Sequence, residues 1–158
     1  MNKAVLEISS ALGNRESNIS AGIRWLELLP DTTVIAGSGI FESKSEIAAE
    51  KRKECLTKCV VILTELSPCT LLGACLGIEV AAGGAQNERD IQKNITVNLL
   101  IYEGVTIRDA ELTLPYIKMI NKPAVMASLR ELFGNNKALD YDFSTALKRA
   151  DLTNVSVF

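Results

Sequence analysis

Ile95-Thr-Val-Asn-Leu-Leu-Ile-Tyr102 alternates with the two-residue period of a strand, and its reading decides the fold. Ile95, Val97, Leu99 and Ile101 fall on one face, and Thr96, Asn98, Leu100 and Tyr102 on the other. Glu103-Gly104 signals a tight turn, with Val105-Thr106-Ile107 as the expected hairpin partner. Upstream, Cys59–Leu63 is an apolar run suited to a central strand, and Ala4–Ile8, Thr32–Ala36 and Ile40–Ser43 read as shorter strands. Helices are expected at three kinds of signal. Ile19, Ile23, Leu26 and Leu29 have helical spacing between Ser17 and Pro30, and Trp25 on that helix is expected in the core. Ser67-Pro68 is an N-cap followed by proline at the first helical position, ahead of Leu71, Leu72, Cys75 and Ile78. Pro123 opens a helix carrying Val125, Met126, Leu129 and Leu132, with Gly134 as its expected C-terminal cap, and Ser144–Ala150 is a last short helix. Strands interspersed with helices in this order give an α+β sandwich.

Length and composition bound the rest. A chain of 158 residues with no Gly/Ser linker or repeat suits one domain over 1–158. There is no histidine, which excludes Ser-His-Asp and Cys-His nucleophiles, a histidine base and any zinc site that needs imidazole. Aromatic residues are scarce, at one Trp, three Tyr and four Phe, so a site of stacked rings would need most of them. Net charge is −2 with both signs mixed, which argues against nucleic acid as a partner. The densest charge, Glu50-Lys51-Arg52-Lys53-Glu54, reads as a solvated surface rather than a phosphate-gripping loop. No segment has the length of a signal core or a membrane helix, so no membrane partner and a cytoplasmic location are expected. Cys55, Cys59, Cys69 and Cys75 lack metal-ligand spacing and are expected to be reduced, buried thiols. Gly37-Ser38-Gly39 lacks the third glycine of a dinucleotide fingerprint, and no P-loop is present.

Five segments in order resemble the 6-hydroxymethyl-7,8-dihydropterin pyrophosphokinase (HPPK) family. Ile8-Ser-Ser-Ala-Leu-Gly13 is similar to the family's Ile-Gly-Ser-Asn-Leu-Gly, and Leu63-Thr-Glu-Leu-Ser-Pro68 to its Glu-Thr-x-Leu-Ser-Pro. Ile78-Glu79 matches its Ile-Glu, Leu99-Leu-Ile-Tyr102 with Gly104 its Asp-Leu-Asp-Leu-Leu-x-Tyr-Gly, and Leu112-Thr-Leu-Pro115 its Leu-Thr-x-Pro. The likeness runs from about Val5 to Leu132. It implies a ferredoxin-like three-layer αβα sandwich with a mainly antiparallel central sheet. It also implies transfer of a pyrophosphoryl group from ATP to a pterin alcohol in folate biosynthesis, with magnesium and ATP as cofactors.

The positions that carry the family's chemistry differ here. Its two magnesium-binding aspartates fall on Thr96 and Asn98. Residues two apart on a strand share a face about 6.6 Å apart, so a carboxylate pair there could reach one metal cluster; a hydroxyl and an amide cannot offset its charge. Glu79 stays acidic but does not rebuild the pair. The family's Arg-Trp-Gly-Pro-Arg falls on Arg89-Asp90-Ile91-Gln92-Lys93, which retains Arg89 and replaces the second guanidinium fork with Lys93. Its later phosphate-facing arginine is Lys122, and the histidine after its Leu-Thr-x-Pro is Tyr116. The pterin-clamping rings and edge-reading asparagine fall at Cys55, Ala124 and Thr57, and the Thr-Pro-Pro segment at Ser43-Lys44-Ser45. Ser9 and Ala11 stand where the opening turn has Gly and Asn.

Three readings follow. The first is a degenerate, weakly active or inactive relative acting as a binding module. The second is a working 2-amino-4-hydroxy-6-hydroxymethyldihydropteridine diphosphokinase with a compensated site. The third is the same scaffold with a new anionic ligand held by Arg89, Lys93 and Lys122. In each the partner is a small molecule.

Overall fold

The computed structural model describes residues 1–44, 54–83 and 94–158. Strand β1 (Asn2–Ser10) leads into helix α1 (Arg15–Glu27), β2 (Thr32–Gly37), β3 (Phe41–Lys44) and β4 (Glu54–Thr64). Helix α2 (Pro68–Ala81) and β5 (Thr96–Tyr102) follow, then a small ribbon of β6 (Ile107–Arg108) and β7 (Thr113–Leu114). A 3-10 turn (Ile117–Asn121) precedes helix α3 (Pro123–Leu132). A second ribbon, β8 (Lys137–Ala138) and β9 (Tyr141–Asp142), then leads to α4 (Ser144–Arg149) and β10 (Val155–Val157).

The main sheet runs β10-β3-β4-β1-β5, with β2 also paired to β4, and every pairing in it is antiparallel. Alternation along β1 divides the molecule into layers. Ala4, Leu6 and Ile8 join Ile19 and Leu26 of α1 and Leu71, Cys75 and Ile78 of α2 in one cluster. Val5, with Cys59 and Val61 of β4, joins Val125, Met126 and Leu129 of α3 and Phe143 in the other. The result is a helix–sheet–helix sandwich, as the sequence implies.

Several expectations are corrected. Val105–Ile107 does not pair with β5; β6 pairs with β7 instead, and among the described residues β5 pairs with β1. The Glu103-Gly104 turn does form, with Gly104 at φ 71, but Val105 N–H bonds back to the Tyr102 carbonyl and the chain leaves the sheet. The β1–β5 register shifts between Val5 and Leu6, so Leu100 is a bulge residue. Past the bulge the faces exchange: Ile101 joins Leu100 in the α3 layer, and Tyr102 turns to the α1/α2 layer.

Trp25 is 43% exposed rather than in the core. The buried stripe of α1 is Ile19, Gly22 and Leu26, and Trp25 lies off it. The helix approaches so closely that a Cβ on Gly22 would stand 2.5 Å from the Ile95 side chain, leaving no room for a large ring on that face. Cys59 and Cys75 are buried as expected, but Cys55 is half-buried and Cys69 exposed. Gly134 does not cap α3; Phe133 does, at φ −127. Residues 45–53 and 84–93, which include the densest charge, Arg89 and Lys93, lie outside the described residues. No helix among the described residues is long and apolar enough to cross a membrane.

Candidate functional site

The face of the sheet toward α3 carries the polar residues. Antiparallel pairing sets Glu7 of β1 between Cys59 of β4 and Asn98 of β5, and Ser9 between Thr57 and Thr96. Thr57, Thr96 and Asn98, three of the positions singled out in the sequence, therefore occupy adjacent rows of one surface. Ser43 and Cys55, opposite each other on β3 and β4, extend it. Pro123, at the first position of α3, brings Lys122 and Ala124 over this surface.

Two clefts open here. The larger, about 430 Å3, runs along β5 and is lined by Leu72 and Glu79 of α2, by Thr96 and Asn98, and by Thr113 and Tyr116. The smaller, about 260 Å3, is lined by Glu7, Ser9, Cys55, Thr57, Lys122 and Ala124, with Ser43 at its side. The structure thus gathers Ser43, Cys55, Thr57, Lys122 and Ala124 into one slot and Thr96 and Asn98 into the other. Burial pushes the Cys55 thiol pKa up, so at neutral pH the slot holds a neutral thiol there.

The wall between the clefts is built on a residue the sequence reading missed. Glu7 is only 3% exposed. Its Oε2 accepts from Asn98 Nδ2 at 2.9 Å and from Lys122 Nζ at 2.9 Å. Lys122 Nζ also lies 5.7 Å from the centroid of the Tyr116 ring, within cation–π range. The wall runs Asn98–Glu7–Lys122–Tyr116, and its outer members, Asn98 and Tyr116, line the larger cleft. Glu7 sits inside an otherwise apolar strand, Ala4-Val5-Leu6-Glu7-Ile8. A charge in a run with the pattern of a buried strand was the available signal.

The family's two magnesium ions do not fit these residues. Thr96 and Asn98 share a face but present neutral oxygens, and the Asn98 amide nitrogen is engaged by Glu7. The charge of Glu7 is met by Lys122. Glu79 approaches from α2, 5% exposed, and accepts the Val97 N–H of β5 at 2.9 Å. Among the described residues no group of three or more His, Cys, Asp or Glu could hold a metal ion.

The antiparallel sheet thus presents a larger cleft and a smaller slot that meet at one polar wall, an arrangement of the ligand-binding α+β class. The comparisons narrow the class. The family model for 7,8-dihydro-6-hydroxymethylpterin-pyrophosphokinase (HPPK) matches residues 5–134, and the chain belongs to that family. It is similar to the 2-amino-4-hydroxy-6-hydroxymethyldihydropteridine pyrophosphokinase of Methylorubrum extorquens, 29% identical over 132 residues that cover 84% of this chain and 83% of the relative. It is also similar to that of Haemophilus influenzae, 25% identical over 129 residues covering 82% and 80%. Among solved structures, an HPPK-DHPS in complex with substrates superposes with TM-score 0.70 at 11% identity, over 93% of this chain and 43% of that one. Plasmodium falciparum HPPK-DHPS gives 0.69 at 10% identity over 99% and 47%. This chain therefore spans less than half the length of those HPPK-DHPS chains, and at such identity they speak for the fold.

Proposed function

We propose that the chain, read over 1–158 as one HPPK-type domain, transfers a pyrophosphoryl group from ATP to a pterin alcohol in folate biosynthesis, slowly and without a resident metal pair. The observation that carries this is the shared wall: Asn98 lines the larger cleft and donates at 2.9 Å to Glu7, which lines the smaller. Donor and acceptor bound on either side of it lie next to each other. Such positioning is worth up to about 7–11 kcal/mol of a barrier. The nucleotide occupies the cleft beside Thr96 and Asn98, and the acceptor ring the slot under Ala124. Lys122, in the wall between them, is the described cation assigned to the transferred group, with Arg89 and Lys93, which precede β5 in the sequence, as further phosphate contacts. The slow rate follows from Thr96 and Asn98, whose neutral side chains leave phosphate charge uncompensated.

The test is AMP release from ATP in the presence of magnesium and 6-hydroxymethyl-7,8-dihydropterin. Slow release that requires the pterin is expected, with at least a tenfold gain in Thr96→Asp/Asn98→Asp. A second reading, binding of both ligands without transfer, is favoured by those same neutral positions. It would be established by calorimetric binding of both ligands to wild type with no AMP formed.

A further inference from the structure

We infer that Glu7 sets the specificity of the smaller slot, its open carboxylate oxygen reading a neutral amino N–H edge of the acceptor ring in place of ring stacking. This inference rests on the reading of the slot as the acceptor site.

Both polar contacts of Glu7 fall on a single oxygen, Oε2. Among the described residues Oε1 accepts no hydrogen bond. No side-chain N or O there is both sealed from solvent and unpartnered. Oε1 therefore opens outward, and of the two clefts only the smaller one is lined by Glu7. A carboxylate oxygen on a side chain only 4% exposed, without a donor, calls for one from the ligand. Lys122 balances the charge of Glu7, so the pair has no net charge left to attract a cation. A guanidinium or ammonium group would also meet the Lys122 ammonium at close range. The favoured donor is then a neutral amino or ring N–H group. Cys55 and Ala124 leave the walls without rings, which removes the face-on contribution of about 0.5–1.5 kcal/mol per ring pair and leaves edge recognition to discriminate. A pocket built to hydrogen-bond a group rejects the analogue that lacks it.

Pterin and lumazine separate these cases, since the amino group at ring position 2 of pterin gives an edge of adjacent N–H donors, whereas every ring N–H of lumazine is flanked by a carbonyl oxygen that would face the Glu7 carboxylate. Binding of each is measured by calorimetry to wild type, Glu7→Gln and Lys122→Gln, with thermal melts to check folding. Wild type is expected to prefer pterin at least tenfold. Glu7→Gln, whose amide can donate to the lumazine oxygen, is expected to lose or reverse that preference. Lys122→Gln, which keeps the carboxylate, is expected to retain it. Equal binding of the two rings by wild type overturns the inference and leaves the acceptor slot standing. So does a Lys122→Gln variant that loses the preference as fully as Glu7→Gln. If Glu7→Gln fails to fold, the wild-type preference and its retention in Lys122→Gln still decide. Binding of neither ring to wild type removes the acceptor reading itself.

Discussion

Glu7 and Lys122 form an ion pair of unequal partners, side chains 4% and 36% exposed. Removing the lysine leaves a buried carboxylate with Asn98 as its remaining donor. Loss of one partner of a fully buried pair costs about 3–5 kcal/mol. With Lys122 a third exposed, water screens part of that, and about 1–3 kcal/mol is expected for Lys122→Met. The double variant Glu7→Gln/Lys122→Met removes the charge along with its partner, so in urea titrations it should be more stable than Lys122→Met alone. A double variant less stable than the single one would show that Glu7 is not held by this pairing. The pair also marks where the sequence was readable at this scale. Thr96 and Asn98 share a face of β5, as strand alternation leads one to expect, whereas Thr57 is singled out through the family resemblance alone, since the apolar run that marks its strand in the sequence starts only at Cys59. Glu7 was missed because its neighbours on the chain are apolar; its meaning comes from Asn98 and Lys122, which are distant in sequence and meet it through the sheet and the start of α3.

At the scale of elements, local signals read well where they are self-contained. Ser67 caps α2 as expected: its hydroxyl accepts the Thr70 N–H at 3.3 Å, with Pro68 opening the helix. Ser67→Ala should cost about 1 kcal/mol, the usual value of such a cap, while Ser67→Asp should cost less than that. Thermal melts of the two variants check it; equal loss in both would mean that the hydroxyl contributes no capping. What the sequence hid was non-local. The Leu100 bulge is invisible in an alternating run, yet it turns Ile101 toward α3 and Tyr102 toward Leu66, whose carbonyl accepts the Tyr102 hydroxyl at 2.6 Å. The Leu100 carbonyl accepts the Tyr116 N–H at 2.8 Å, which ties the turn after β7 to β5 and sets Tyr116 beside the clefts. The hairpin expected after Gly104 failed for a related reason. The turn forms, but Val105 N–H bonds back to the Tyr102 carbonyl and the chain after the turn pairs within its own β6–β7 ribbon instead of along β5.

Across the whole molecule, the two buried thiols report on the two layers. Cys59 lies in the cluster under α3 and Cys75 in the cluster under α1 and α2. Burial raises the pKa of the Cys59 thiol well above its ordinary value. It pushes that of Cys75 up to about 12, with Glu79 acting in the same direction. Between the unfolded value, about 9, and the folded one, the unfolded chain has lost the thiol proton and the native protein keeps it. Unfolding then releases protons, so stability is intact below about pH 9 and falls as pH rises above it. The slope approaches about 1.4 kcal/mol per pH unit for each thiol. Lysines and tyrosines titrate in the same range, so the comparison must be internal. Under reducing conditions, urea titrations at pH 8, 9 and 10 should show a flatter decline in Cys59→Ala and in Cys75→Ala than in wild type, whatever each cavity costs at pH 8. The double variant should be the flattest. If the two layers unfold as one cooperative unit, each substitution removes its own share of the slope from a single transition. Wild type and the double variant falling in parallel would mean that neither thiol is protected from water in the native protein. Two separate transitions, each losing its pH dependence with only one of the substitutions, would mean that the helix layers on either side of the sheet come apart independently.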